Sequence, residues 1–321
     1  MKLATLVLFN HRFDRNLPVL DELLKDKFSS IYYIVPFYDG NREDVIPVYG
    51  RSVFFETYLA QAYNMLKGKG FDHYLVIADD MIMNPALNEN NYMEFFGVEK
   101  GQSFVPMLKP LHTLPYYWIG TMSAFTYKPQ QKYVETKEEL PSREEAEKRF
   151  TKQGLEVKPL SRKALFHEFT FAHKYMGDWL RIGLRTLTYL CHPFKKEYTL
   201  NYPVVASYSD IVLVADEDMK DFAHYCGVFG ATSLFVEVAI PTALVLAAHK
   251  EIMTEAKIQH KGRSYWASAN NVFCEDESYL WGTLEKEYKN LDDMIARFPE
   301  DAIYLHPVKL SKWIKNNTLE L

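Results

Sequence analysis

The sequence predicts an α/β protein in which a parallel sheet carries helices on both faces. Short apolar runs of strand length recur through the first third of the chain, and each is separated from the next by a segment with helical spacing of its apolar residues. Strands alternating with helices of that length give right-handed crossovers and a parallel sheet. Length agrees: 321 residues, 48% of them hydrophobic, can bury one large core or two joined ones.

"LATLVLF", starting at Leu3, reads as the first strand and not as a secretion signal, since no long apolar region with a small-residue cleavage site is present. "NLPVLDELLKDKF" reads as a helix, "SIYYIVPFY" as a strand, "SVFFETYLAQAYNMLKGKG" as a helix and "HYLVIADD" as a strand. Ligands of such sheets collect at the carboxyl ends of the strands. That rim takes Asn10 to Arg15, Phe37 to Gly40, and Asp79 with Asp80. The charged stretch from Lys128 to Lys163 breaks the alternation; Ser142 and Glu145 have capping-box spacing for a surface helix, either a solvated insertion or an element beside the site. A mixed aromatic stretch to Thr199, the strand "SDIVLVA", a long apolar segment and a short strand in "DAIYLHPVKLSKW" complete the chain.

Composition removes several classes of function. A net charge of -5 provides no basic field, so nucleic acid is not an expected partner. Aromatic residues make up 15% of the chain, with 22 Tyr and 21 Phe, which serves core packing and also suits stacking on bases or sugar rings. The three cysteines, Cys191, Cys226 and Cys274, are odd in number and far apart, so neither a disulfide framework nor a zinc cluster is expected, and a reducing cytoplasm is the default. Cys226 to His249 is apolar enough to suggest a membrane span, but Glu237 and Pro241 interrupt it. The expectation is a helix buried in the protein, with at most peripheral membrane association. A carboxylate on such a helix needs a partner or a function.

Asp79 and Asp80 pose the chemical question. Adjacent carboxylates repel unless a cation sits beside them, and the choices are Arg, Lys or a divalent metal. A structural arrangement would have Asp79 cap the following turn while Asp80 pairs with an arginine such as Arg51.

Taken together, "HYLVIADD", "HYCGVF", "FVEVAIP" and "HPVKLS" make the chain resemble, over nearly its whole length, bacterial nucleotide-sugar glycosyltransferases of the GT-A class. The resemblance implies a Rossmann-type mixed sheet with helices on both faces. It divides one continuous domain into a nucleotide-sugar-binding half (1–127), a charged insertion (128–165) and an acceptor-binding half with a C-terminal histidine element (166–321). Asp79 and Asp80 stand at the family's acidic DxD-type motif, whose carboxylates hold a divalent cation against the donor diphosphate. Ala78 and Met81 mean that one of the two acidic positions is missing whichever way the motif is aligned. His306 matches the C-terminal histidine that completes the metal shell or touches the diphosphate, and an imidazole ligand favours Mn²⁺ over Mg²⁺. Lys309 would add positive charge for the phosphates.

Glu237 stands where inverting members carry the carboxylate that takes the acceptor's proton, although Val236 replaces the first acidic residue of that pair; a hydrogen-bonded structural Glu is the alternative. Gly227 and Gly230 resemble a glycine-bearing loop that approaches the donor sugar. Asn10, His11, Arg15, Phe37, Tyr38 and Asp39 would surround base and ribose, with uracil the best fit, and Arg51 would use its guanidinium and a helix N-terminus on phosphate. "LPYYWIGTMSAFTY" and Tyr208 to Asp210 would line an acceptor cleft. The chemistry is self-consistent, because a departing diphosphate develops negative charge that a metal neutralises without a proton.

The expected function is therefore a cytoplasmic, metal-assisted glycosyltransferase that moves a sugar from a nucleotide-diphosphate donor, UDP-type favoured, to a glycan or lipid-linked acceptor in cell-surface polysaccharide assembly. The alternative is a non-catalytic protein of the same fold that binds a glycan or nucleotide sugar. A phosphohydrolase or nucleotidyltransferase would need more carboxylates or a phosphate loop, and "LKGKG" lies at a helix end, not after a strand.

Overall fold

The computed structural model describes residues 1–114, 118–136, 138–165, 197–265 and 283–313. Cys191, Cys274, Tyr116, Tyr117 and most of the aromatic stretch before Thr199 lie outside the described residues.

Eight strands position the site: β1 (Leu3–Leu8), β2 (Ile31–Pro36), β3 (Val45–Val48), β4 (His73–Ala78), β5 (Ile82–Met83), β6 (Ile211–Ala215), β7 (Lys261–Ser264) and β8 (Ala302–His306). The central sheet runs in the order β6-β4-β1-β2-β3. Its first four strands in sequence are parallel, and β6 joins the edge of β4 antiparallel, with Ile211 opposite Ile77. The sheet is thus mixed, and β3 is a strand that the sequence reading did not include. A second sheet, β7-β8-β5, is joined to the first through the turn after β4.

Alternation along β1 divides the interior in two. Ala4, Leu6 and Leu8 face a core shared with α2 (Glu56–Leu66), α4 (Asp216–Ala231) and α5 (Val236–Ala247). Leu3 and Val7 face the other core, with α1 (Leu17–Leu24) and the second sheet. Helices therefore cover both faces, and β1, β4 and β6 are buried end to end, as strands covered on both faces are. A further helix, α3 (Arg143–Lys152), is the charged one. Ser142 caps it by accepting from the Glu145 amide at 3.2 Å, while the Glu145 carboxylate turns to Arg149 and does not close the reciprocal half of a capping box. Arg149 and Lys152 reach the carbonyls of Leu246 and His249, placing cations at the carbonyl end of α5.

The long apolar segment is two helices, not one. α4 ends at Ala231 and α5 begins at Val236, with Ser233 in the left-handed region between them at φ 61°. Among the described residues no helix is long and apolar enough to cross a membrane. Gly227 and Gly230 lie inside α4 and not in a loop. A methyl group on Gly230 would stand 2.0 Å from Thr57 Cγ2, and one on Gly227 3.3 Å from the Ala60 methyl, so these glycines let α4 approach α2. Neither lines the cavity at the carboxyl rim of the sheet, which corrects their expected role beside a donor sugar.

Pro241 sits in the interior of α5 and has no N–H for the carbonyl four residues back, that of Glu237. The Ser207 amide fills the vacancy by donating to the Glu237 carbonyl at 3.0 Å. Three residues on, the Asp210 carbonyl accepts from the Ala78 amide at 2.9 Å. The short stretch 207–210 thereby straps the start of α5 to the carboxyl end of β4.

Candidate functional site

A cavity of about 340 Å³ opens at the carboxyl rim of the central sheet. Asn10, His11 and Phe13 enter it from the loop after β1, Asp79 and Asp80 from the turn after β4, Ser209 and Asp210 from the strap, and His306 and Lys309 from the end of β8. The second sheet brings the last pair into place: the Val308 amide donates to the Asp80 carbonyl at 2.6 Å, and Asn84 bonds the Ile303 carbonyl through its amide at 2.8 Å.

Asp80 is the centre of charge. His306 Nε2 lies 2.8 Å from Oδ1 and Lys309 Nζ 2.6 Å from Oδ2. Burial disfavours the ionised carboxyl, but His306 and Lys309 outweigh it and hold Asp80 well below the usual carboxylate range. The same pairing acts on His306, where burial favours neutral imidazole and the Asp80 and Asp210 charges overcome it, raising the ring above its ordinary value. His306 Nδ1 is paired with the Tyr208 hydroxyl. The cation beside Asp80 is therefore Lys309 with His306. Arg51 is exposed and stacks over Phe54 with its guanidinium carbon 5.2 Å from the ring centre.

Asp79 takes the opposite course. Burial raises its carboxyl, the adjacent Asp80 charge adds to this, and the group reaches about 7 even though Asn16 donates to Oδ2 at 3.2 Å. Two neighbouring carboxyls with separated acidities can hold a proton and a charge side by side. Asn16 leaves its buried Oδ1 without a partner at the cavity wall, an acceptor that a bound N–H or hydroxyl would satisfy. The Asp210 carboxyl is raised by burial and by Asp80, against the pull of His306. Glu237, beyond it, is raised by burial first and by Asp210 second, to about 8. Asp79, Asp80, His306, Asp210 and Glu237 thus form one electrostatically linked series.

Of the sequence-predicted residues, Asn10, His11, Asp79, Asp80, Asp210, His306 and Lys309 face the cavity. Glu237 is linked to it through Asp210. Arg15, Tyr38, Asp39 and Arg51 are not on its wall. Asp39 is exposed and paired with Arg12, whose guanidinium also holds Asp14 at 2.9 Å and the Phe37 carbonyl at 2.9 Å. That clasp ties the loops after β1 and β2 to each other and leaves Asp39 pointing away from the site. The roles of Arg12 and Asn16 were not foreseen. None of the described residues of 128–165 lines the cavity.

Asp79, Asp80 and His306 do not close into a three-ligand cage: among the described residues no group of three or more His, Cys, Asp or Glu side chains is arranged to hold a metal ion. Two atoms do converge, Asp80 Oδ1 and His306 Nε2, and Tyr208 orients the ring from its other nitrogen as an outer partner of a ligating histidine does. A carboxylate and an imidazole, completed by phosphate oxygens and water, form a sufficient donor set for Mn²⁺ or Mg²⁺. Ligation of a cation at these two atoms would displace the proton on Nε2.

No protein-family model matches the chain, and no curated protein matches it either.

Proposed function

We propose that this chain is a transferase acting on a nucleotide-diphosphate sugar, with a hydroxyl-bearing glycan or lipid-linked molecule as acceptor. One observation carries the reading: an acidic pair, a histidine, a lysine and the Asp210 carboxyl gather at the carboxyl rim of a Rossmann-like sheet, where nucleotides of open α/β folds bind, with Glu237 linked to them through Asp210. Neutral carboxyls beside a fixed imidazolium–carboxylate pair suit acid–base work near neutral pH.

In this reading Lys309 meets the phosphates, and Asn16 Oδ1 accepts from the base or ribose. Asp80 and His306 would hold a divalent cation, which when bound neutralises the leaving diphosphate. Glu237, deprotonated above about pH 8, takes the proton of the attacking hydroxyl. The strap ties the Glu237 backbone to the strand end that carries Asp79 and so joins the acceptor and donor ends of the site. The expected location is the cytoplasm, where nucleotide sugars are available.

A second reading, a non-catalytic binder, draws on Asp80 having both oxygens engaged by His306 and Lys309. Thermal-shift measurements with UDP, GDP, CDP and ADP, each with and without Mn²⁺, test both. A nucleotide at a hundred times its dissociation constant stabilises the fold by about 2.7 kcal/mol, a rise of a few degrees. No response to any of the four sinks the nucleotide-sugar reading. If one binds and sugar transfer is observed, Glu237→Gln should lower turnover by roughly 10² to 10⁴ while leaving nucleotide affinity unchanged; full turnover in that variant removes Glu237 from the mechanism.

A further inference from the structure

A second and larger cavity, about 770 Å³, lies behind the first. Its walls come from 106–110, from Gln153 and Leu155 after α3, from 251–257, from β7, and from Asp301 and Tyr304. Its volume is that of a small-molecule site, for which the usual range is about 300–1,000 Å³. Tyr208 lines it with the ring whose hydroxyl reaches His306 of the first cavity, so the two spaces share a wall one side chain thick. Nothing in the proposed transfer reaction uses this second space.

Glu255 on the wall has a buried carboxylate oxygen, Oε1, with no hydrogen-bond partner. Such an atom costs stability unless something donates to it. The four cations on the wall, Lys109, Lys257, Lys261 and Arg263, all have partners. Lys257 pairs with Glu251, Arg263 pairs with Asp301 at 2.7 Å, and Lys261 donates to the carbonyls of Glu255 and Ile258. A phosphate or other anion would have to break these pairs and would face Glu255. A neutral ligand with many hydroxyl donors breaks none of them and satisfies Oε1. Pro106, Met107, Leu155 and Ile252 add the apolar surface against which the C–H face of a sugar ring packs.

We propose that this cavity is a binding site for a neutral oligosaccharide, with Glu255 as its central hydrogen-bond acceptor. Burial, opposed by the Gly262 amide and by Lys261, raises the Glu255 carboxyl to about 7, in keeping with an acceptor that lacks its donor. The site is separate from the nucleotide cavity and does not depend on whether that cavity is catalytic.

Saturation-transfer NMR and calorimetry with maltotriose, N,N′-diacetylchitobiose, lactose and a mannotriose, in the presence and absence of saturating UDP, test the proposal. At least one of these sugars should bind, with affinity unchanged by UDP. Glu255→Gln should weaken it by roughly ten- to a hundredfold, the range for losing a charge-assisted hydrogen bond. Ala256→Trp, placed at an exposed position on the rim, should abolish binding without touching Glu255, so a fold defect in the Gln variant cannot hide the answer. Failure of all four sugars overturns the proposal. So does binding that survives both substitutions, or binding that UDP displaces, which would move the sugar to the first cavity. Absence of UDP binding with sugar binding intact would refute the nucleotide reading and leave this one standing.

Discussion

Glu237→Gln should stabilise the protein, and increasingly so as the pH rises. The folded carboxyl titrates at about 8 against 4.5 for an ordinary one, because burial and then Asp210 disfavour its charge. At 1.36 kcal/mol per pH unit that difference amounts to about 5 kcal/mol held against the ionised form. Water at the partly exposed edge of the side chain reduces it, and about 2–3 kcal/mol is the expectation for measurement. The sign follows from proton binding. Between about pH 4.5 and 8 the unfolded chain has released this proton while the folded chain keeps it, so wild-type stability falls as pH rises, with a limiting slope of about 1.4 kcal/mol per unit. Gln has the same shape and no proton to release, so its own contribution is flat. Urea unfolding of both proteins at pH 5.5, 6.5, 7.5 and 8.5 isolates the residue, since groups that do not interact with Glu237 cancel in the difference. The advantage of Gln should be smallest at pH 5.5, widen through neutrality and level off above pH 8. In an Asp210→Asn background the like charge is gone, and the widening should shift to lower pH. A difference that stays constant across the series would refute the reasoning, because it would mean that Glu237 is ionised in the folded protein throughout.

Lys309→Met removes one of the two cations on Asp80 and should weaken UDP binding roughly tenfold or more by calorimetry, the loss expected for one charge-assisted hydrogen bond; unchanged affinity would exclude Lys309 from the phosphate site. Gly230→Ala drives a methyl group to 2.0 Å from Thr57 Cγ2 and should lower stability by about 1–3 kcal/mol through overpacking. Gly227→Ala, whose nearest neighbour is the Ala60 methyl at 3.3 Å, should be close to neutral in the same scanning calorimetry. Ser142→Ala deletes the cap on α3 and should cost about 1 kcal/mol in urea, with no effect on nucleotide binding, because α3 does not touch the first cavity.

The sequence made the sheet legible where alternation was strong. β1, β2, β4, α1 and α2 lie where apolar periodicity put them, and the rule that ligands gather at the carboxyl rim placed Asp79, Asp80 and Asn10. It was less informative about direction. A chain of parallel crossovers puts the start of "IVLVA" at the rim opposite the acidic pair; because β6 runs antiparallel to β4, its first residues come up beside Asp79, and Asp210 joins the site. Loop residues carry no such periodicity. Arg12 has two carboxylates and a carbonyl within reach, and its clasp settles that Asp39 faces outward, which no local pattern encodes. Glycine is ambiguous for another reason, since a residue without a side chain serves a tight loop and a close helix crossing equally well, and α4 uses Gly230 for the second purpose. The partner of Asp80 lies more than two hundred positions away in sequence, a separation that only tertiary structure resolves.

The position of β6 has a further consequence, for synthesis. β4 is buried along its whole length and presents an open hydrogen-bonding edge until Ile211 to Ala215 arrive to pair with it. Ribosomes deliver about 5–20 residues per second, so on a growing chain that edge stands uncovered for roughly ten seconds or more while the charged segment and the residues between it and β6 are made. An uncovered apolar edge recruits other strands, including those of neighbouring nascent chains. The stretch that protects the nascent protein from aggregation is thus the one that later aligns its carboxyl groups, and a substitution that slows the docking of β6 should reduce soluble yield before any change in affinity can be measured.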